Sequence, residues 1–215
     1  MSRGAQSGLY GWTTVNATQA HDYIWPAILR LLPPKLGPQS LGALDLGCGN
    51  GYIASRLHAI GYRVTGVDLS PDGITLARQA YPDIRFEVAS IYDDVAQILG
   101  ETDFDLVVSS EVIEHLYFPR KLLQNAYRIL RPGGSLIVTT PYHGYLKNLA
   151  LSLFDKWDDH HTVNWDGGHI KFFSEGTLIA FLKEAGFTDI RFSNAGRTPW
   201  LWKSIVCRAT KGSNR

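Results

Sequence analysis

The sequence predicts an α/β protein built on a doubly wound, mainly parallel sheet. Three observations predict it. Short apolar runs alternate with segments of helical periodicity along most of the 215 residues. A glycine-rich stretch, "LDLGCGNG", stands where the first apolar run meets the first helical one. An acid, Asp68, closes the second apolar run.

The elements follow in order. Residues 41–47 are a short apolar strand. Residues 51–61 have helical spacing, with Ile53, Leu57 and Ile60 on one side. Residues 63–70 form the second strand. Ser70 can cap the next helix, and Pro71 suits its first position. Residues 84–90 are a strand, 93–100 a short helix, and 104–110 a very apolar strand. Residues 119–130 are an amphipathic helix, "RPGG" is a turn, and residues 135–141 are a strand that Pro141 stops. Ser174 can cap a helix over 175–186. Two strands, 189–196 and 204–210, close the chain with little between them, which suits an antiparallel pair. Residues 1–40 precede the sheet and are expected to fold over it as an arm. Residues 41–215 are expected to form the main domain, with an insert at 142–173.

Composition bounds the function. With 45% hydrophobic and 19% charged residues, the chain suits one large domain. A net charge of +1 gives no reason to expect a nucleic-acid partner. Two cysteines, Cys48 and Cys207, make no disulfide framework and suit a reducing cytosol. The N-terminus lacks the apolar core of a secretory signal, and no apolar run approaches a membrane span. A soluble, cytoplasmic protein is expected.

Gly47, Gly49 and Gly51 let the backbone turn sharply and approach a ligand. Tyr52 stands where the dinucleotide pattern G-x-G-x-x-G needs its last glycine, which argues against a nicotinamide oxidoreductase. Asp68 can accept both hydroxyls of a ribose. With "LRPGGSLIV" before a later strand, these motifs resemble those of class I S-adenosylmethionine-dependent methyltransferases. The resemblance covers residues 43–141, and beyond them the order of elements. It implies a Rossmann-like sheet of seven strands, the last antiparallel, with S-adenosyl-L-methionine lying across the glycine loop. By that resemblance Asp45, Gly47, Cys48 and Gly49 hold the methionine part, and Asp68 the ribose. Leu69 packs on the adenine, Ala89, Ser90 and Ile91 flank the base, and Ser110 and Glu111 border the sulfonium.

"SSEVIEHLYF" then presents Glu111, Glu114 and His115 together, spaced as on one face of a helical turn. With "DGGHIKFFS" further on, it resembles the ubiquinone-biosynthesis O-methyltransferase subset, and the resemblance places His169 opposite these three. Small-RNA methyltransferases use a similar set of two Glu and two His to hold magnesium. Glu111, Glu114, His115 and His169 are therefore the catalytic candidates and the candidate ligands of a divalent cation (Mg, Mn or Zn). Without metal, His115 or His169 could act as general base. Acids opening a helix can also serve only its dipole. His160 and His161 read as solvated loop. The arm of the ubiquinone enzymes carries an arginine near the cofactor; here His21 or Tyr23 would have to substitute.

In the insert, Tyr145, Leu149, Leu153 and Trp157 recur every four residues, with Leu146, Ala150 and Phe154 beside them. That is an amphipathic helix with a broad apolar face, either packed on the domain or acting as a lid. Only Lys147 and Lys156 mark its polar side. The corresponding segment of the ubiquinone enzymes is thought to contact membrane, so residues 145–157 are the candidate for peripheral membrane or lipid-substrate contact. Tyr142, Tyr145, Trp165, Phe172 and Trp200 could wall a substrate or belong to the core. The expected function is O-methylation of a small-molecule acceptor, phenolic, lipid-linked or sugar-like. A non-catalytic S-adenosylmethionine-binding protein and an N- or C-methyltransferase are the alternatives, and the oligomeric state is open.

Overall fold

Strands and helices alternate in the predicted order. The computed structural model describes residues 12, 14, 16, 19–34, 40–157 and 167–213. Helix α1 (Gln19–Leu31) precedes β1 (Gly42–Leu46), α2 (Tyr52–Ala59), β2 (Arg63–Asp68), α3 (Pro71–Ala80), β3 (Arg85–Val88), α4 (Val95–Leu99) and β4 (Phe104–Ser110). A 3₁₀ turn (Ile113–His115), α5 (Arg120–Ile129), β5 (Leu130–Pro141), α6 (Tyr145–Leu153), α7 (Glu175–Glu184), β6 (Phe187–Phe192) and β7 (Ser204–Lys211) follow. The seven strands lie in the order β3-β2-β1-β4-β5-β7-β6. Only β7 runs against its neighbours, pairing antiparallel with β5 and β6. β1 pairs in parallel with both β2 and β4. The strand order therefore reverses beside β1, and a crevice opens there at the carboxyl ends of the strands.

The core lies on both faces of the sheet because the central strands are apolar at nearly every position. Alternate residues feed opposite layers. Leu44, Leu46, Val107, Leu136 and Val138 join the layer built by α4, α5 and α7. Ala43, Leu106, Val108 and Ile137 join the layer built by α1, α2 and α3. The predicted caps form. Ser70 accepts from the Gly73 N–H at 3.2 Å with Pro71 opening α3, and Ser174 makes a reciprocal box with Thr177.

Two expectations need correction. Ile60 does not share the buried side of α2; it caps the helix and is exposed. Helix α6 turns inward only part of the expected apolar face, Ala150 being half-buried. Tyr145, Leu149 and Leu153 face solvent, while Lys147 is its one buried residue. The four-residue spacing to Trp157 is not one helix either: α6 ends at Leu153, and Asp155 takes a left-handed φ of 51°. His160, His161 and Trp165 lie outside the described residues. No helix among the described residues is long and apolar enough to cross a membrane.

Candidate active site

A cavity of about 880 Å³ occupies the crevice. The glycine loop forms one end. Gly47 and Cys48 donate their N–H groups to the Val67 carbonyl at 2.7 and 2.9 Å, folding the loop back over β2. Gly47 has a φ of +88°, and a Cβ there would stand 2.6 Å from Val112. At Gly49 (φ +52°) a Cβ would stand 2.4 Å from the Trp12 ring. Asp68 braces the loop from below: its carboxylate accepts from Gly49 N–H at 2.8 Å and from Ser70 N–H at 2.7 Å. A carboxylate has about four acceptor sites, so capacity for a ligand's hydroxyls remains.

Asp45, Gly47, Cys48, Gly49, Asp68, Leu69, Ser90, Ile91 and Ser110 all line the cavity. Asp45 is 1% exposed. Burial raises its pKa to about 7, against the Ala54 backbone N–H, which lowers it. Leu69 is 60% exposed on the cavity rim, which leaves it open to a planar group. The turn carrying Ser90 and Ile91 is pinned by Asn125, whose amide donates to the Ile91 and Asp93 carbonyls at 2.8 and 3.0 Å. Nothing in the sequence marks Asn125 for this, since it sits inside the pattern of α5.

The opposite end is built on the turn after β4. Glu114, His115 and His169 offer ligand atoms that all lie within 4.8 Å of one another. Main-chain bonds bring the distant segment in: Ile170 and Lys171 both donate to the Glu114 carbonyl at 3.0 Å. His115 Nδ1 lies 3.2 Å from the Gly168 carbonyl. A carbonyl only accepts, so Nδ1 carries the proton and Nε2 the lone pair. Burial lowers the His115 pKa, which keeps the ring neutral near pH 7. His169 meets His115 edge-on at 4.9 Å between ring centres.

Glu114 is fully buried; the Thr140 hydroxyl and the Glu114 N–H lie near enough to favour its charge, but neither makes a well-formed hydrogen bond to it. Its Oε1 stands 3.9 Å from His115 Nε2. Burial, with the charge of Glu111 added, pushes its pKa well up. Burial favours a protonated Glu114 beside the His115 lone pair, and Glu114, His115 and His169 are the residues that could hold a divalent ion.

Glu111 departs from the expected four-ligand set. It is not on the helical turn but takes a left-handed φ of 55° before it. Its carboxylate accepts from Thr139 Oγ1 at 2.7 Å and from Ser204 Oγ at 3.3 Å. It is thus held by β5 and β7, outside the cluster of Glu114, His115 and His169. It still lines the cavity, and burial raises its pKa to about 7.

A family model described as "Methyltransferase domain" matches residues 17–191. The chain belongs to the class I S-adenosylmethionine-dependent methyltransferases. It is 26% identical over 179 residues to a ubiquinone biosynthesis O-methyltransferase of Aromatoleum aromaticum, covering 81% of this chain and 76% of that one. With the protein of the same name from Xanthomonas axonopodis it shares 30% over 119 residues, covering 54% of this chain. That match spans about half (49%) of the Xanthomonas protein's length. Among solved structures, a methyltransferase of Thermotoga maritima described as a possible histamine N-methyltransferase superposes with a TM-score of 0.62. It is 22% identical, and the match covers 86% of each chain.

Residues of the N-terminal part of the chain meet the glycine loop and the cavity of this methyltransferase. Asn50, beside the loop, donates to the Thr14 and Asn16 carbonyls at 2.9 and 3.1 Å, tethering the preceding segment. His21 stacks on Tyr52 at 4.7 Å, and burial lowers its pKa to about 4. It is neutral at pH 7 and supplies no positive charge in place of an arginine. The Tyr23 hydroxyl reaches Ser204 Oγ at 3.4 Å. The aromatic wall also differs from the expected one. Tyr145, Phe172 and Trp200 are exposed, and Tyr142 is buried against Trp202. Trp12, Tyr23, Tyr92 and Trp202 line the cavity instead. Lys147, Lys156, Arg197 and Lys203 line it as well. Lys147 is the one whose sequence context pointed the wrong way.

Proposed function

We propose that the protein is an S-adenosylmethionine-dependent O-methyltransferase acting on a phenolic hydroxyl of a small molecule. The observation that carries the reading is the convergence of Glu114, His115 and His169 in the crevice that also holds the glycine loop and Asp68. In this reading Asp45 and the loop hold the methionine part of the cofactor. Asp68 takes the ribose, and Leu69 with the Ser90–Ile91 turn takes the adenine. Trp12, which lines the cavity beside Gly49, covers the cofactor. The names of the relatives support oxygen as the methylated atom.

Methyl transfer forms a C–O bond and breaks the S–CH₃ bond, whose electron pair stays on sulfur. The hydroxyl must lose its proton as it attacks. In this reading His115 Nε2 or the His169 ring receives it, a neutral imidazole being a suitable acceptor near pH 7. A divalent cation, if bound, would be held by Glu114, His115 and His169 and would lower the pKa of the hydroxyl. Glu111, fixed by Thr139 and Ser204, borders the transferred methyl group and orients the turn. The exposed Leu149, Leu153 and Phe154 support a lipid or membrane contact at α6. With Lys147 buried, little basic charge supports attraction to anionic lipid.

Transfer of labelled methyl from S-adenosylmethionine to catechol-type acceptors tests the reading. Glu114→Gln and His169→Asn should each lower kcat at least tenfold while S-adenosylhomocysteine still binds. Chelator should do the same if a cation is used. Full turnover in both variants would overturn the assignment.

A further inference from the structure

Lys147 is the anomaly of the fold. It belongs to a helix whose Tyr145, Leu149 and Leu153 face solvent, yet its own side chain is turned inward and is 7% exposed. Its ammonium donates to the Tyr142 carbonyl at 2.8 Å. An ammonium has three donors, and no other hydrogen bond of Lys147 joins this one among the described residues.

Two more cations share its wall. The Tyr142 N–H donates to the Lys203 carbonyl at 2.9 Å, so one residue ties the start of α6 to the β6–β7 hairpin. The Ala195–Ser204 bridge closes that hairpin and carries Arg197 and Lys203 to the cavity. The Lys203 ammonium lies over the Tyr23 ring at 4.8 Å. Arg197 lies near enough to Lys147 to disfavour its charge, an effect second to burial in lowering its pKa to about 8. Lys147 therefore stays protonated at neutral pH. No carboxylate forms an ion pair with Lys147, Arg197 or Lys203 among the described residues. Glu111 is the acid close enough to favour the Lys147 charge, and both its oxygens are already bound by hydroxyls. Arg197 disfavours the charge of the buried Lys147, whose ammonium has one acceptor, and an anion entering the cavity would offset both effects.

We propose that the methyl acceptor carries an anionic group, carboxylate or phosphate, that docks on Lys147, Arg197 and Lys203 while its hydroxyl lies at His115 and His169. This rests on the O-methyltransferase reading and adds the substrate class. The cofactor's own carboxylate is the competing anion. The glycine loop that would receive the methionine part lies at the end of β1, whereas these cations project from the end of β5 and from the hairpin before β7.

The test compares protocatechuate, hydroxyphenyl phosphate and catechol, in methyl transfer and in calorimetric binding to the protein loaded with S-adenosylhomocysteine. The anionic acceptors should bind roughly ten- to hundredfold more tightly than catechol, the range a charged hydrogen-bonded contact spans. Lys147→Met and Arg197→Met should remove most of that preference and change S-adenosylhomocysteine affinity little. The stronger of the two anions identifies the group. Should Lys147→Met fail to fold, the exposed Arg197 and Lys203 carry the same comparison. Equal binding of catechol and the anions would overturn the inference and leave the O-methyltransferase reading intact. A loss of S-adenosylhomocysteine affinity matching the loss for acceptor would also overturn it, because the cations would then serve the cofactor. Lys147-dependent anion binding without methylation of any hydroxyl would uphold the anion site and refute the reading it rests on.

Discussion

Asp45→Asn isolates one buried carboxylate. In the folded protein without cofactor, burial raises the Asp45 pKa from 3.8 to about 7. Its Oδ2 has no hydrogen-bond partner among the described residues. The folded state therefore binds this proton more tightly than the unfolded chain does. Its contribution to stability is fully present below about pH 4 and is lost as pH rises to about 7. Roughly three pKa units at about 1.4 kcal/mol each give a total near 4 kcal/mol, of which about 2–3 falls between pH 5 and pH 8. Asparagine cannot titrate. The stability of Asp45→Asn relative to the parent should therefore rise by that amount from pH 5 to pH 8. Urea unfolding at the two pH values measures it. Other buried acids, Glu111 and Glu114 among them, are common to both proteins and largely cancel. If the cofactor's ammonium docks on Asp45, binding near pH 6 should release a proton, which calorimetry in buffers of different ionisation enthalpy detects. A difference in stability that does not change with pH would refute the burial argument. Equal proton release by both proteins would refute the docking.

Two further predictions concern the loop and α6. Asp68→Ala leaves the Gly49 and Ser70 N–H groups without their acceptor, two charge-assisted bonds worth about 1.5–3 kcal/mol each. It should melt earlier and lose S-adenosylhomocysteine binding, and calorimetry showing unchanged affinity in folded protein would contradict the ribose assignment. The pair Leu153→Ser and Phe154→Ser changes residues 72% and 73% exposed, so stability should move by only about 0.5 kcal/mol per site. Flotation with neutral vesicles should fall, and unchanged flotation would remove the membrane contact.

Much of the molecule could be read along the chain. Strand and helix order follows from local periodicity, and the caps at Ser70 and Ser174 from residue type and spacing. The place of the glycine loop follows because a parallel sheet exposes its ligands at one end. The candidate cofactor residues, spread from Asp45 to Ser110, are proposed from the family resemblance, and the parallel sheet gathers them at one crevice because each lies at the carboxyl end of a strand. Tertiary structure decided what depends on distant partners. Glu111 looked like one of four ligands, and Thr139 and Ser204, brought alongside by β5 and β7, hold it apart from the other three. The meeting of His169 with His115 needs the Glu114 carbonyl to bind Ile170 and Lys171. Helix α6 is the clearest case. Periodicity reports that a helix has an apolar face, but not which way the face points. The cavity takes Lys147, through a carbonyl bond to Tyr142, together with Ala150 and Phe154, and leaves Tyr145, Leu149 and Leu153 in solvent.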